Sequence, residues 1–425
     1  MEQAASRKPL SPTAFWYWVR PFMALIIYDT KSRGKREFLP RKPPEVFMYI
    51  CGPTVYAPAH LGHARSYVAF DVVRRYLEFL GHGVRVVQNF TDIEDSIIRT
   101  AGQHGIRPSD LAEMNMKAFI EDMDRLNVRR ATVYPRVTEH IQEIVATIKG
   151  LVEKDYAYTA DGSVYFRVAK AKSLGALSHH DPKSIIVDVQ AKVGGRENPL
   201  DFALWRKGEE GQPSWPSPWG DGRPGWHVEC FAMSTKHLGP VIDIHCGGID
   251  LVFPHHESEA MISEAFVGDD WCNYWLHNAF IMIEQEKMSK SLGNFVVLRD
   301  LLDTYKPEAI RLCLLKEHYR KNVEYDKDCF RRTEEELERT YEAMRKAKEA
   351  NGEGNGGKID TLVRSTRTRF FKAMDDDFDT SNAVHVLQQF VEAIHEVEHL
   401  SAEEGKAITA MFEDVGRVLG LFGCR

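Results

Sequence analysis

The sequence predicts an α/β fold: a doubly wound parallel sheet, split by an insertion and followed by an α-helical C-terminal domain. Three observations predict it. Residues 46–87 read as strand, loop, helix and strand, the repeating unit of a parallel sheet. From about 155 to 215 the pattern changes to short strands and polar turns, and strand signals resume at Val241-Ile242-Asp243-Ile244. Beyond residue 328 the chain reads as helix, broken by short polar stretches.

Each element has a local reason. Val46 to Cys51 is a short apolar run that Gly52-Pro53 ends, and a loop follows to Ala59. From about His60 a helix is expected, with Leu61, Val68, Val72, Tyr76 and Leu80 on or near one face and Gly81 as its stop. Val84 to Val87 is the next strand, and Thr91 is expected to open another helix. Ser109 is placed to cap a helix carrying Leu111, Met114, Phe119, Met123 and Leu126. The next carries Ile141, Ile144, Val145, Ile148 and Val152. Near the C-terminus a charged helix is expected over 328–349, then a mobile glycine-rich loop from Gly352 to Gly357. Further helices are expected over 359–373, 381–400 and 402–420, the last opened by a Ser401/Glu404 capping box.

Composition narrows the function classes. A chain of 425 residues has ample core material for several domains. The net charge of −7 announces no nucleic-acid partner, so any RNA contact needs a local basic surface. The run Lys306, Arg311, Lys316, Arg320, Lys321, Lys327, Arg331 and Arg332 is the candidate, against the plainer reading of a solvated helix face. The seven cysteines include no CxxC pair and are odd in number, which favours a reducing cytoplasm with thiols free or on metal. No apolar run is long enough to span a membrane. Residues 1–22 lack the basic start and long apolar core of a secretory signal.

Three constellations carry chemistry. His60-Leu61-Gly62-His63 stands where a helix begins, so its backbone N–H groups and the dipole favour phosphate. Two histidines at i and i+3 there can donate to phosphate oxygens as charge grows, and Gly62 lets a nucleotide approach the backbone. Taken alone, the tetrad is better read as two histidines that serve only the helix start. Lys287-Met288-Ser289-Lys290-Ser291 offers two lysines on a loop that can neutralise a departing pyrophosphate, or form an ordinary basic turn. Cys51, Cys230, His255 and Glu259 are the third set. His255 and Glu259 lie one helical turn apart, and two thiolates, an imidazole and a carboxylate suit zinc. The spacing of the cysteines gives that reading almost no support, and His256 is a rival ligand.

Together with HLGH and KMSKS, six further segments carry a resemblance. They are Cys51-Gly52-Pro53-Thr54-Val55-Tyr56, Asn89-Phe90-Thr91-Asp92-Ile93, Asn198 to Trp205, Gly225 to Cys230, Gly247-Gly248-Ile249-Asp250, and Phe253 to Glu259. From about Met23 to Phe422 the chain resembles the cysteinyl-tRNA synthetase family of class I aminoacyl-tRNA synthetases. The resemblance implies a Rossmann-like catalytic domain and an ATP-dependent ligase that forms cysteinyl-adenylate and transfers cysteine to the 3′ end of tRNA(Cys). It implies one zinc per chain on Cys51, Cys230, His255 and Glu259, with the substrate thiolate as a further ligand. Thr91, Trp226 and His227 are implied around the amino acid. His60, Gly62, His63, Gly248, Asp250 and Lys290 are implied around ATP and its magnesium, with His60, His63, Lys287 and Lys290 catalytic.

The expected domains follow from the same match. Residues 1–22 are an extension, with Met23 a possible start, and 23–145 form the first half of the catalytic domain. Residues 146–215 are a connective insertion, and 216–280 form the second half. The KMSKS loop and stem-contact region occupy 281–330. A helical bundle occupies 331–425, with no further anticodon-binding domain expected. Cysteine at 246 departs from the small residue usual in the family and is expected near the zinc pocket. A cytoplasmic monomer is expected. The alternatives are a related ligase joining cysteine to an amino-sugar, as in mycothiol synthesis, and a non-catalytic RNA-binding paralogue.

Overall fold

The computed structural model describes residues 24–181, 195–268, 270–284, 286–288 and 295–424. The extension at 1–22 and Met23 lie outside the described residues. A hairpin of β1 (Ile26–Asp29) and β2 (Gly34–Glu37) precedes β3 (Glu45–Ile50). Helix α1 (Leu61–Phe79) and β4 (Gly83–Gln88) complete the strand–helix–strand unit. Gly81, at φ 94°, turns the chain out of α1 as expected. Thr91 does not open a helix. It bridges Thr54, and α2 (Asp95–His104) starts later, where the Glu94 carboxylate accepts the Ser96 N–H at 2.8 Å. Ser109 is likewise not a cap: α3 (Pro108–Arg125) takes Pro108 as its first residue, where a missing N–H costs nothing. Met114 faces solvent at 57 % exposure, while Leu111, Phe119 and Met123 are buried.

Helix α4 (Ile141–Glu153) leads into β5 (Ala157–Ala160), β6 (Ser163–Phe166), β7 (Phe202–Lys207) and β8 (Gly222–Pro224). These four strands form one antiparallel sheet in sequence order. The insertion therefore has a sheet of its own that reaches Pro224, past the expected limit at 215. Helix α5 (Trp226–Leu238), β9 (Ile242–Gly248), α6 (Glu257–Val267) and β10 (Cys272–Asn278) return the chain to the parallel sheet. Its order is β10-β9-β3-β4, and every pair is parallel. The registers Ile50↔Gln88, Ile50↔Cys246 and Gly248↔Asn278 bring all four strands to an end along one edge. In an open parallel sheet that carboxyl edge is where ligands bind.

A small sheet of β11 (Ile281–Ile283), β12 (Glu286–Lys287) and β13 (Val323–Glu324) follows, with α7 (Leu298–Thr304) and α8 (Pro307–Leu315) between its strands. The C-terminal helices are α9 (Lys327–Lys348), α10 (Lys358–Asp375), α11 (Thr380–Glu396) and α12 (Ala402–Leu419). The Ser401/Glu404 capping box is present. The glycine-rich stretch expected to be mobile is tied to that cap. Gly352 N–H donates to the Leu400 carbonyl at 2.8 Å, and Asn355 N–H to Glu404 at 2.7 Å. One pair of cysteines departs from the expected free thiols: Cys313 of α8 and Cys329 of α9 form a disulfide. Among the described residues, no helix is long and apolar enough to cross a membrane.

The junction between the catalytic sheet and the C-terminal helices holds a buried ionic cluster. Asp71 of α1 accepts from Arg75 at 2.7 Å and from Arg311 of α8 at 2.5 Å, and all three side chains are at most 1 % exposed. Arg311 also donates to the carbonyls of Leu419, Leu126 and Asn127. Burial pushes the Asp71 carboxyl up, but Arg311 and Arg75 outweigh it and hold it below the usual range. Its stabilising contribution is thus complete above the unfolded carboxyl pKa of about 3.9 and is lost as pH falls through the lower folded value. Asp71→Asn should cost about 3–5 kcal/mol, because it strands two buried guanidinium groups. Urea unfolding at pH 7 checks this, and a loss under 1 kcal/mol would contradict it.

Candidate active site and metal centre

The carboxyl edge of the parallel sheet opens into a cleft. Its wall includes Cys51, His60, Gly62, His63, Trp226, Gly248, Asp250 and Met288. The HLGH tetrad forms the mouth of α1, with His60 in extended conformation as N-cap (φ −124°, ψ 171°). His63 Nδ1 accepts the His60 backbone N–H at 3.2 Å, and the two imidazoles stack with centroids 3.8 Å apart. A Cβ on Gly62 would lie 2.9 Å from the His60 ring and 3.3 Å from Met288 Cε, so only glycine fits without a shift.

That contact also brings the second motif to the first. Met288 is 7 % exposed, and its N–H donates to the Ile281 carbonyl at 3.0 Å. On the far side of the motif, Leu61 N–H donates to Val296 at 3.0 Å, and Leu298 N–H donates to Ala59 at 2.9 Å. Lys287 lies in β12. Lys290 lies outside the described residues.

Below the cleft, Cys51, Cys230, His255 and Glu259 bring their donor atoms within 4.8 Å of one another. Cys51 follows β3, Cys230 lies in α5, and Glu259 lies in the first turn of α6, just after His255. Cys230, His255 and Glu259 are fully buried, and Cys51 is 7 % exposed. His255 Nε2 stands 2.8 Å from Glu259 Oε1 and 3.7 Å from Cys230 Sγ. Oε1 makes no hydrogen bond of good geometry despite that short contact, so a buried carboxylate oxygen faces the space it shares with the thiols. The Cys51 thiol is pushed well down by a hydrogen bond from Cys230 and by His255, against burial. Burial lowers the affinity of His255 for a proton, but Glu259 and Cys51 reverse this and raise its pKa to about 10. Such a set of anionic sulfur and oxygen with one imidazole suits a four-coordinate divalent metal.

The neighbours fix the set. His245 Nε2 holds the other oxygen of Glu259 at 2.6 Å. Trp226 stacks on His255 with centroids 4.1 Å apart. His227 Nδ1 stands 2.9 Å from His255 Nδ1, and burial with His255 pushes its pKa down to about 3, so it is neutral. His256, the rival ligand, groups with His245 and Glu259 and also contacts the Cys51 thiol, while its Nδ1 pairs with His277 at 2.8 Å.

Residues 37–335 match the family described as tRNA synthetases class I (C) catalytic domain, and residues 369–423 match the DALR domain. A cysteine–tRNA ligase of Thermococcus gammatolerans is 47% identical over 413 residues, spanning 94% of this chain and 87% of the relative. One from Pyrococcus horikoshii is 46% identical over the same shares. The chain belongs to the cysteine–tRNA ligase family. The class I synthetase fold extends to more distant structures. Methionyl-tRNA synthetase of Mycobacterium tuberculosis, in complex with methionyl-adenylate, aligns with a TM-score of 0.65 at 15% identity, over 88% of this chain and 90% of that one.

Thr91 lies against Glu229, and His227 lies against His255 of the candidate metal set. One sequence expectation, that of Cys246 near the zinc pocket, meets a different arrangement. Cys246 is not part of the metal set. It follows His245 on β9, and neighbouring strand residues face opposite sides of the sheet. His245 faces the metal set, while Cys246 packs in the core beside α1 with Ile50 and Ile244. The basic run from Lys306 to Arg332 is mostly consumed within the protein. Lys306 pairs with Glu338, Lys316 with Glu336, Arg320 with Asp377, Arg331 with Asp328 and Arg332 with Asp326, and Arg311 is buried. Lys321 and Lys327 are exposed. Sequence reading missed His245, Asn89 and Glu229. The first stands beside the remarked Cys246, and the other two lie inside quoted motifs, so position was the available signal.

Proposed function

We propose that this chain is a zinc-dependent cysteine–tRNA ligase that activates L-cysteine with ATP and transfers it to the 3′ end of tRNA(Cys). The observation that carries the reading is the buried Cys51–Cys230–His255–Glu259 set beneath a cleft rimmed by the HLGH helix start and Met288. Bound to those four residues, zinc supplies a soft Lewis acid that lowers a thiol's pKa and favours sulfur over a hydroxyl oxygen.

The chain's own residues do the rest. Cys51 and Trp226 line the end of the cleft nearest the metal set and receive the amino acid there. The N-terminal end of α1 faces the phosphates, and the His60 and His63 imidazoles donate to them as the carboxylate of cysteine attacks the α-phosphate and pyrophosphate leaves. Gly248 and Asp250 line the nucleoside side. Lys287 and Lys290 serve the departing pyrophosphate by their place in the motif. Positioning and charge stabilisation suffice for this chemistry.

The purified chain should catalyse ATP–pyrophosphate exchange with cysteine and not with serine, and should charge tRNA(Cys). An amino-sugar acceptor offered in place of tRNA should take no cysteine. Exchange without tRNA charging, together with transfer to glucosaminyl-inositol, would replace this reading with the amino-sugar ligase.

A further inference from the structure

Asn89 lies immediately after β4, is fully buried, and touches both chain segments that carry the thiols. Its Oδ1 accepts the Gly52 N–H at 2.8 Å, one residue past Cys51. The same oxygen stands 3.8 Å from Cys230 Sγ. Its Nδ2 donates to Thr91 Oγ1 at 3.4 Å, and the Thr91 hydroxyl donates to Glu229 Oε2 at 3.1 Å. Glu229 directly precedes Cys230 and is 1 % exposed. The backbone repeats the constraint: a Cβ on Gly52 would fall 1.5 Å from the Asn89 carbonyl oxygen.

We infer that Asn89 is a positioning residue that sets the separation of Cys51 and Cys230 for metal capture. The inference rests on the zinc reading above. The two thiols come from the end of β3 and from α5, and one side-chain amide connects them. The chemistry calls for an amide. Gly52 requires an acceptor and Thr91 is offered a donor, and asparagine supplies both without charge. Aspartate keeps the acceptor, loses the donor and adds a negative charge beside two thiolates. Alanine removes both bonds and leaves the Gly52 N–H without its partner. Groups that orient metal ligands without binding the metal typically govern affinity by 10–100-fold.

The test uses the full-length protein loaded with zinc. Release of zinc to a chromogenic chelator is followed for the native chain, Asn89→Asp and Asn89→Ala, with KM for cysteine and for ATP measured in exchange. Zinc should leave both variants at least about tenfold faster, KM for cysteine should rise about tenfold, and KM for ATP should stay within about twofold. Asn89→Asp decides the matter if the alanine variant does not fold, since it keeps the Gly52 bond. Native-like zinc release and cysteine KM in Asn89→Asp would overturn the inference. So would equal losses for cysteine and ATP, which mark a general structural role. A native chain that activates cysteine with no zinc bound would instead overturn the zinc reading itself, and the inference with it.

Discussion

Cys230→Ser should leave the protein with less than a full equivalent of zinc and should lower kcat/KM for cysteine activation by about 10²–10³-fold, the equivalent of several kcal/mol of lost interaction. The residue is fully buried among three other donors, so no solvent molecule can stand in for its sulfur at the same place. The change should also be selective. A pocket that must separate cysteine from serine by size and weak contacts alone discriminates by only about 10². The variant's preference for cysteine should therefore fall toward that level. Metal analysis and ATP–pyrophosphate exchange with each amino acid measure both effects. Full zinc content with full cysteine affinity would remove Cys230 from the site.

His63→Ala should slow cysteine-dependent exchange by about 10²–10³-fold, the loss expected for one preorganised donor to a transition state. Zinc content and KM for cysteine should stay near native, because His63 lies at the mouth of α1 and outside the metal set. The substitution also removes the acceptor for the His60 N–H, an N-terminal cap contact worth about 1 kcal/mol. His63→Asn separates the two roles. It keeps an acceptor within reach of that N–H, so it should recover stability without recovering rate. If both variants exchange at the native rate, the tetrad has only a structural role.

Some of this was legible in the sequence, for reasons that can be named. The strand–helix–strand unit was readable because its apolar residues recur with the helical period and Gly81 stops the helix. The HLGH tetrad was readable because a helix start with two histidines is a local feature. The metal quartet was different. Its parts meet only because β3 and β9 pair in register, Tyr49 opposite His245, and no local pattern encodes that pairing. His255 and Glu259 were legible as a pair one helical turn apart, and the family resemblance joined the two cysteines to them. Cys246 misled because adjacent strand residues face opposite sides, and the sequence does not mark which side holds the site. The pairing of the basic run was not legible, because charge counted along the sequence does not show partners. Asp377 and Glu338 neutralise parts of it, and Asp71, from far upstream, buries Arg311. The Gly352–Gly357 stretch has the composition of a loose loop, yet Asn355 docks on Glu404, a contact that composition does not show.

The Arg311 cluster has a mechanical consequence. Its guanidinium draws partners from α1, from the turn at Leu126 and Asn127, and from the end of α12. Swinging α8 together with the C-terminal helices away from the sheet would detach a fully buried cation from Asp71, Leu126 and Asn127 at once, and moving the C-terminal helices alone would take away its Leu419 acceptor. That junction is a weld and not a hinge. Since α1 begins at the HLGH tetrad and carries Asp71, the helix that presents the tetrad is tied through Arg311 to the C-terminal bundle.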